Sequence, residues 1–307
     1  MSVTTVDPQY IPREKAGARE VLQDWLPRLV LAPSFAVILL FVYGFIIWTV
    51  ILSFSKSRML PNYTMTGFES YAKLFALPNW NMAMINIVIF GVLYIGICIA
   101  LGLGLAILLD QKIRGEGILR PIFLYPMALS FIVTGTAWQW FLNPGLGIEK
   151  TMQAWGFHWF HFDWLVNTHM AIYCVVIAGV WQAAGFAMAM FLAGLRGIDG
   201  EIMKAAQIDG ASPFAIYRRI IIPALRPVFL SAFIVLAHLA IKSYDLVVAL
   251  TGGGPGNATE LPSTFMYSYT FSRNQMSVGA ASAVVMLCTV AAIIVPYLYS
   301  ELRERAR

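Results

Sequence analysis

Six stretches of the chain are each long and apolar enough to cross a bilayer: about Leu29–Phe54, Met82–Leu109, Leu119–Phe141, Met170–Leu195, Val228–Leu250 and Ser277–Leu298. A hydrocarbon core about 30 Å thick takes about 20 residues of helix. Lipid offers the backbone no hydrogen-bond partner, so runs of this length are expected to be helices, and no ten-residue alternation typical of a barrel strand is present. Composition agrees: 59% of the 307 residues are hydrophobic and 12% are charged, too few charges to cover a water-soluble domain. The same apolar fraction excludes disorder. The expected fold class is an all-α membrane protein of six transmembrane helices. Residues 1–28 form a polar N-terminal segment, 29–298 the membrane domain and 299–307 a polar tail. The first apolar run is too long for a signal-peptide core and lacks a small-residue cleavage pattern, so it is expected to be retained.

Six spans put both termini on one side. Fifteen of the 21 Lys and Arg residues fall on that side, in the N-terminal segment, the 110–120 loop, the 196–227 loop and the C-terminal tail. Lys56, Arg58, Lys73, Lys150 and Arg273 lie on the other side, and Lys242 sits within a span. The positive-inside rule then places both termini in the cytoplasm, as expected of a bacterial inner-membrane protein. The net charge of +5 reads as an orientation signal. It does not read as a nucleic-acid surface, because the basic residues are not clustered among interleaved aromatics.

Nothing in the chain carries the pattern of a catalytic or cofactor site. Cys98, Cys174 and Cys288 lie inside spans as small hydrophobes, with no CxxC among them. His158, His161 and His169 are near one another, but no acidic or cysteine partner stands at ligand spacing, so no metal is expected. They share an outer loop with Trp155, Phe157, Trp159, Phe160, Phe162 and Trp164, which reads as an interfacial helix. The glycine-rich run Thr251–Asn257 lacks the Gly-Lys of a P-loop and reads as a tight turn ending the fifth span. No cofactor is expected on this chain.

The most patterned segment is the loop Gly197–Pro227. Asp199 is placed to cap a short helix, and Glu201 suits its positive end. Ile202, Ala205 and Ala206 form an apolar stripe, and Gly210 ends the helix. Ser212-Pro213 starts a second helix with Phe214, Tyr217 and Ile220/Ile221 on one face; Pro223 and Pro227 stop or kink it. Such a knob is too short to bury a core of its own. It folds against its own bundle or docks into a partner.

The run Lys204-Ala205-Ala206-Gln207-Ile208-Asp209-Gly210-Ala211-Ser212, followed by Ile220-Ile221-Ile222-Pro223, resembles the "EAA" loop of binding-protein-dependent ABC importer permeases. Gly210 and Ile220 keep that motif's nine-residue gap. Phe191–Leu195, Trp138–Phe141, Ile241–Leu246 and Leu250–Pro255 are similar to sugar-type permeases, most of all to those of glucose/mannose-type importers, and the likeness covers about residues 28–302. The resemblance implies a type I ABC importer permease with a MetI-like/MalF-like core and a cytoplasmic coupling helix. Such a chain is non-catalytic. ATP and Mg are bound by two cytoplasmic ATPase subunits, a periplasmic sugar-binding protein delivers the cargo, and a second permease, related or identical, completes the pathway. It also implies an ATPase-coupling set of Glu201, Lys204, Ala205, Ala206, Asp209, Gly210, Ala211 and Pro223. Lys204 stands where the family has Glu. A lysine cannot pair with a basic residue of the ATPase, which leaves that contact to Asp209, to Glu201, or to an acidic residue of the ATPase itself.

Charges inside a span cost roughly 2.5–3.5 kcal/mol each on insertion scales and tend to be functional. Lys242 and Asp245, three apart, are expected on one helix face, with His238 one turn earlier. Two readings stand for this pair: a packing contact, or a polar patch lining a path. The fourth span offers Trp181, Gln182 and Gly185, and the glycine has the simpler reading of close helix approach. The resemblance brings the fourth and fifth helices together around a mid-membrane sugar site. Trp181, Gln182, Gly185, His238, Lys242, Tyr244 and Asp245 are therefore the substrate-binding candidates, with Asn86 a weaker addition. Trp138 and Trp140 read as an interfacial belt. The alternatives are a permease for an oligosaccharide or polyol, and an ion-gradient-driven secondary transporter with Asp245 or His238 as proton-coupling group. The second fits poorly, since such transporters usually show internal repeats and none is visible.

Overall fold

A computed structural model describes residues 18–111 and 115–305. Much of the N-terminal segment (1–17), Lys112 and Arg114 of the first basic loop, and residues 306–307 lie outside the described residues. The chain divides into two units, Met1–Thr49 and Val50–Arg307. The first holds α1 (Ala18–Ile38), a π-helical turn at Leu39–Tyr43 and the start of α2 (Gly44–Ser53). The expected first span is thus helical from Val30 to Ser53.

The second unit continues with α3 (Glu69–Ala76) and α4 (Pro78–Asp110). The next segments are α5 (Glu116–Ala128), α6 (Phe131–Phe141), α7 (Ile148–Ala154) and α8 (Ala171–Arg196). The knob comprises α9 (Gly200–Ile208), α10 (Pro213–Ile216), a π-helical turn at Tyr217–Ile221, and α11 (Ile222–Ala224). Then come α12 (Arg226–Ile241), α13 (Asp245–Leu250), α14 (Pro262–Tyr267), a π-helical turn at Ser268–Ser272, and α15 (Met276–Arg305). No β-strand occurs among the described residues beyond a single antiparallel bridge, Ser55 to Met65.

Helix α8 is the axis of this unit. Phe90, Tyr94, Val175, Leu236 and Leu246 pack along one half of it, and Leu109, Met188, Phe191, Leu195 and Leu225 along the other. Association in lipid relies on close packing over small residues. A methyl group added to Gly102 of α4 would lie 2.6 Å from the Ala187 Cβ, so only glycine permits this crossing of α4 over α8.

Three expectations are corrected. The third span is not one helix: α5 and α6 meet at 99°. Helix α5 runs through Pro121 and Pro126 and ends at Ala128. Leu129 is extended at ψ 147°, and the Ser130 hydroxyl caps α6 by accepting from the Val133 N–H at 3.3 Å. The fifth span is also interrupted. Helix α12 stops at Lys242 and α13 restarts at Asp245, so these two residues do not share one helix face. The aromatic outer loop is not one interfacial helix either. Helix α7 ends before Gly156, whose φ of +97° suits glycine, and the Phe160, Phe162 and Trp164 rings stack beyond it.

Candidate functional site

The knob forms as its local sequence directs. The Asp199 carboxylate accepts from the Glu201 N–H at 2.9 Å, and the Ser212 hydroxyl from the Ala215 N–H at 3.3 Å. Gly210 takes φ +78° with open space around its α-carbon, so glycine is needed there for backbone conformation and not for room. The apolar stripe divides between two faces. Ala206 is buried with Met203, Ile216, Tyr217 and Ile221 against the ends of α4 and α8. Ile202, Ala205, Ile208 and Phe214 point outward, Ile208 with 85% of its surface free. Phe214 therefore does not share a face with Tyr217 and Ile220. The π-helical turn that begins at Tyr217 shifts the helical register between them. Glu201, Lys204 and Asp209 are exposed, while Ala211 and Pro223 are half-buried.

Three helix ends meet beside the knob through a residue the sequence pattern did not single out. Arg196, at the end of α8, donates to Glu116 of α5 at 2.6 Å and lies 3.9 Å from Asp110 of α4. Tyr217 reaches the same corner; burial and the nearby Asp110 carboxylate push its hydroxyl above the ordinary range. A basic residue in the last turn of a span facing two acids at neighbouring helix ends was the available signal.

Within and beside the spans the polar residues sort into two kinds. Gln182 is buried, and its Nε2 donates at 2.8 Å to the carbonyl of Leu129, the residue at which α5 breaks from α6. Its Oε1 has no hydrogen-bond partner among the described residues. Gly185 lies against α5: a methyl group there would overlap the Phe123 carbonyl. Asn86 is likewise buried, and its Nδ2 donates to the carbonyls of Ala258 and Glu260 at 3.0 Å each. The Ser263 hydroxyl of α14 donates to the Ser243 carbonyl in the break of span five at 3.2 Å. Gln182 and Ser263 thus occupy backbone acceptors at helix breaks, and Asn86 ties α4 to carbonyls of the loop between α13 and α14; an unpaired buried carbonyl costs about 1–3 kcal/mol.

The second kind faces outward. His238, Lys242 and Asp245 are exposed on the chain, and Tyr244 is half-exposed. No ion pair within 4.0 Å joins Lys242 to Asp245, so the two charges do not neutralise each other by contact. The Tyr244 and Tyr267 rings lie 5.0 Å apart, and Phe271 continues the series at 5.0 Å. Trp181 is 42% exposed and meets Trp138 edge-on at 5.8 Å. Trp138 packs against the core, which separates it from exposed Trp140. The half-helices beyond the two breaks pair with each other: a methyl group on Gly135 of α6 would lie 2.6 Å from the Ala249 Cβ and 3.0 Å from the Leu246 carbonyl of α13.

Comparison with known proteins identifies the family and the fold. Residues 96–304 match the family described as binding-protein-dependent transport system inner membrane component. A probable ABC transporter permease protein of Pyrococcus horikoshii is 37% identical over 88% of this chain and 94% of its own length. The xylose/arabinose import permease protein XacH of Haloferax volcanii is 35% identical over 86% and 84%. The trehalose/maltose transport system permease protein MalF of Thermococcus litoralis is 28% identical over 88% and 91%. Among solved structures, a bacterial ABC transporter involved in the import of the acidic polysaccharide alginate matches with a TM-score of 0.80 at 18% identity, covering 93% of this chain and 98% of that one. The fold is thus the all-helical type I ABC importer permease fold expected from the sequence.

Proposed function

The chain belongs to the family of binding-protein-dependent transport system inner membrane components, and from that premise we propose that it forms half of the translocation pathway of a sugar importer. It is a non-catalytic membrane subunit of an ABC transporter, whose ATPase is a separate subunit. The ion-gradient alternative falls with that assignment.

The observation that carries the pathway reading is the interrupted fifth span. Lys242 and Asp245 flank the break, exposed and without a contacting counter-charge among the described residues. Charges so placed within a span call for a neighbour or an aqueous passage. A second permease, related or identical, meets this surface, and Lys242, Tyr244, Asp245 and His238 line the passage with Trp181 as an aromatic platform. Gln182 leaves the contact set because it donates to the carbonyl at the break in span three, and Gly185 because it packs against the α5 backbone at Phe123. Both termini and the 197–227 loop face the cytoplasm, following the basic bias of their loops. There the knob seats on one of two ATPase subunits through Ile202, Ala205, Ile208 and Phe214. Asp209 and Glu201 supply the acidic contact that Lys204 cannot. Closure of the ATPase pair on ATP and Mg tilts α12 through the knob and alternates access to cargo delivered by a periplasmic binding protein.

The cargo in this reading is a glucose- or mannose-type monosaccharide, supported by the likeness of Ile241–Leu246 to permeases of that group. A disaccharide is the second reading, supported by the relative named for trehalose and maltose. A ligand screen on the cognate binding protein decides between them. ATP-driven uptake in vesicles tests the passage: Asp245→Asn and Lys242→Gln should raise the KM for sugar with expression unchanged. Ordinary uptake affinity in both variants refutes the assignment.

A further inference from the structure

Basic residues are scarce on the end of the second unit opposite the knob, and they are not scattered. Of the five assigned there, Lys56, Arg58, Lys73 and Arg273 line a single cavity of about 760 Å³. The positive-inside rule depletes this side of Lys and Arg, so orientation does not account for four of them at one place.

The walls are built before any ligand arrives. Past Ser53 the chain forms a short hairpin. Lys56 donates its N–H to the Thr64 carbonyl at 2.9 Å, and Thr66 to Phe54 at 2.8 Å. Ser55 and Ser57, fully buried, hold each other at 2.6 Å, and Ser277 at the start of α15 donates its N–H to the Ser57 carbonyl at 3.0 Å. Lys56 and Arg58 alternate with these serines. Arg273 is pre-oriented: its Nη1 donates to the Tyr269 hydroxyl at 2.8 Å and its guanidinium lies 4.5 Å from the centre of that ring.

The charges are also unbalanced. The one carboxylate in the lining, Glu69, is engaged by Lys73 at 2.6 Å, and that lysine holds it below the usual carboxylate range. Lys56 and Arg58 have no carboxylate within 4.0 Å among the described residues. The lining therefore carries three positive charges in excess of its one carboxylate, with Thr66, Asn274, Gln275 and Ser277 as further hydrogen-bond donors. The free donors converge from the hairpin and from residues 273–277 leading into α15, which suits a tetrahedral oxyanion better than a planar carboxylate. The volume exceeds a lone ion, and the hairpin side chains Met59 and Leu60 and the nearby Phe68 are more than 70% exposed.

We propose that this cavity binds a phosphate-bearing anion, presented as a lipid headgroup or free in solution. The test uses the assembled transporter, stripped of lipid, with its thermal midpoint read against two probes. One is inorganic phosphate; the other is phosphatidylglycerol in nanodiscs, compared with phosphatidylcholine. Saturable protection by phosphate assigns a soluble anion, and protection by phosphatidylglycerol alone assigns a headgroup. Charge-assisted hydrogen bonds contribute about 1.5–3 kcal/mol, so Arg58→Gln with Arg273→Gln should weaken the effective probe about tenfold or more. The corresponding Arg→Lys pair should retain most of the binding. The single change Lys56→Gln, at an exposed side chain, gives a smaller loss and serves if the double variant does not assemble. Absence of protection by both probes overturns the proposal, as does protection unchanged in the Gln variants. Loss of binding-protein capture in those variants, with neither probe bound, overturns it in favour of a protein contact.

Discussion

Helices α8 and α12–α13 lie side by side and solve the same problem in opposite ways. Helix α8 runs unbroken for 26 residues and is the most buried span, with small residues wherever another backbone presses on it. The fifth span stops after 16 residues, restarts, and leaves its charged residues facing away from the chain. The continuous helix supports one break: its Gln182 bonds the carbonyl between α5 and α6 while Gly185 seats α5 at Phe123, and Ser263 of the short α14 bonds the break between α12 and α13. Irregular backbone at membrane depth is tolerated only where protein or water satisfies it. Each interruption is therefore matched by a polar side chain from a neighbouring element.

This contrast can be broken at several places. The largest effect is expected from Gly185→Val, which drives a side chain into the α5 backbone. Overpacking typically costs about 1–3 kcal/mol, and here backbone must shift as well, so the variant should fail to yield a folded complex by size-exclusion profile. Next is Gln182→Ala, which strips the Leu129 carbonyl of its donor at a cost of about 1–3 kcal/mol. It should lower the thermal midpoint and leave the KM for sugar unchanged in the folded fraction. A pure KM effect with full stability would reassign Gln182 to the passage. Ser263→Ala removes a single neutral hydrogen bond, for about 0.5–1.5 kcal/mol, and should show mainly as faster proteolysis near residues 243–263. The smallest effect concerns the outer loop, away from both breaks. There Glu149 accepts from His161, Phe162 and Gln153, and these bonds, His161 first, hold its pKa below the ordinary value. A lowered carboxylate pKa stabilises above its unfolded value and loses that contribution as pH falls through the folded one. Acidification through the carboxylate range should therefore speed amide exchange at Phe162 while exchange within α8 stays unchanged.

The sequence was most informative where local chemistry decides the structure. The caps at Asp199 and Ser212, the turn at Gly210 and the extents of the continuous spans follow from neighbouring residues, and they formed as expected. The breaks were harder to see. Pro126 and Ser130 in span three are local signals of a stop and a restart, but an apolar run of 23 residues outweighs them when hydropathy alone is considered. No proline marks 242–244 in span five; what sustains that break is Ser263, twenty residues later, which periodicity cannot bring alongside. The site residues divide the same way. Lys242 and Asp245 stood out by charge, whereas the role of Gln182 depends on a carbonyl 53 positions earlier. The close approach at Gly185 depends on the path of α5.

One feature reaches beyond this chain. Gly135 lets α6 rest on the Ala249 methyl and the Leu246 and Leu250 backbone of α13, so the two segments that follow the breaks are closely fitted to each other. Permease chimaeras that exchange one half-helix for a homologue's would set a foreign contour against this seam. The smallest transplantable module is therefore discontinuous in sequence: residues 131–141 and 245–250 travel together or not at all.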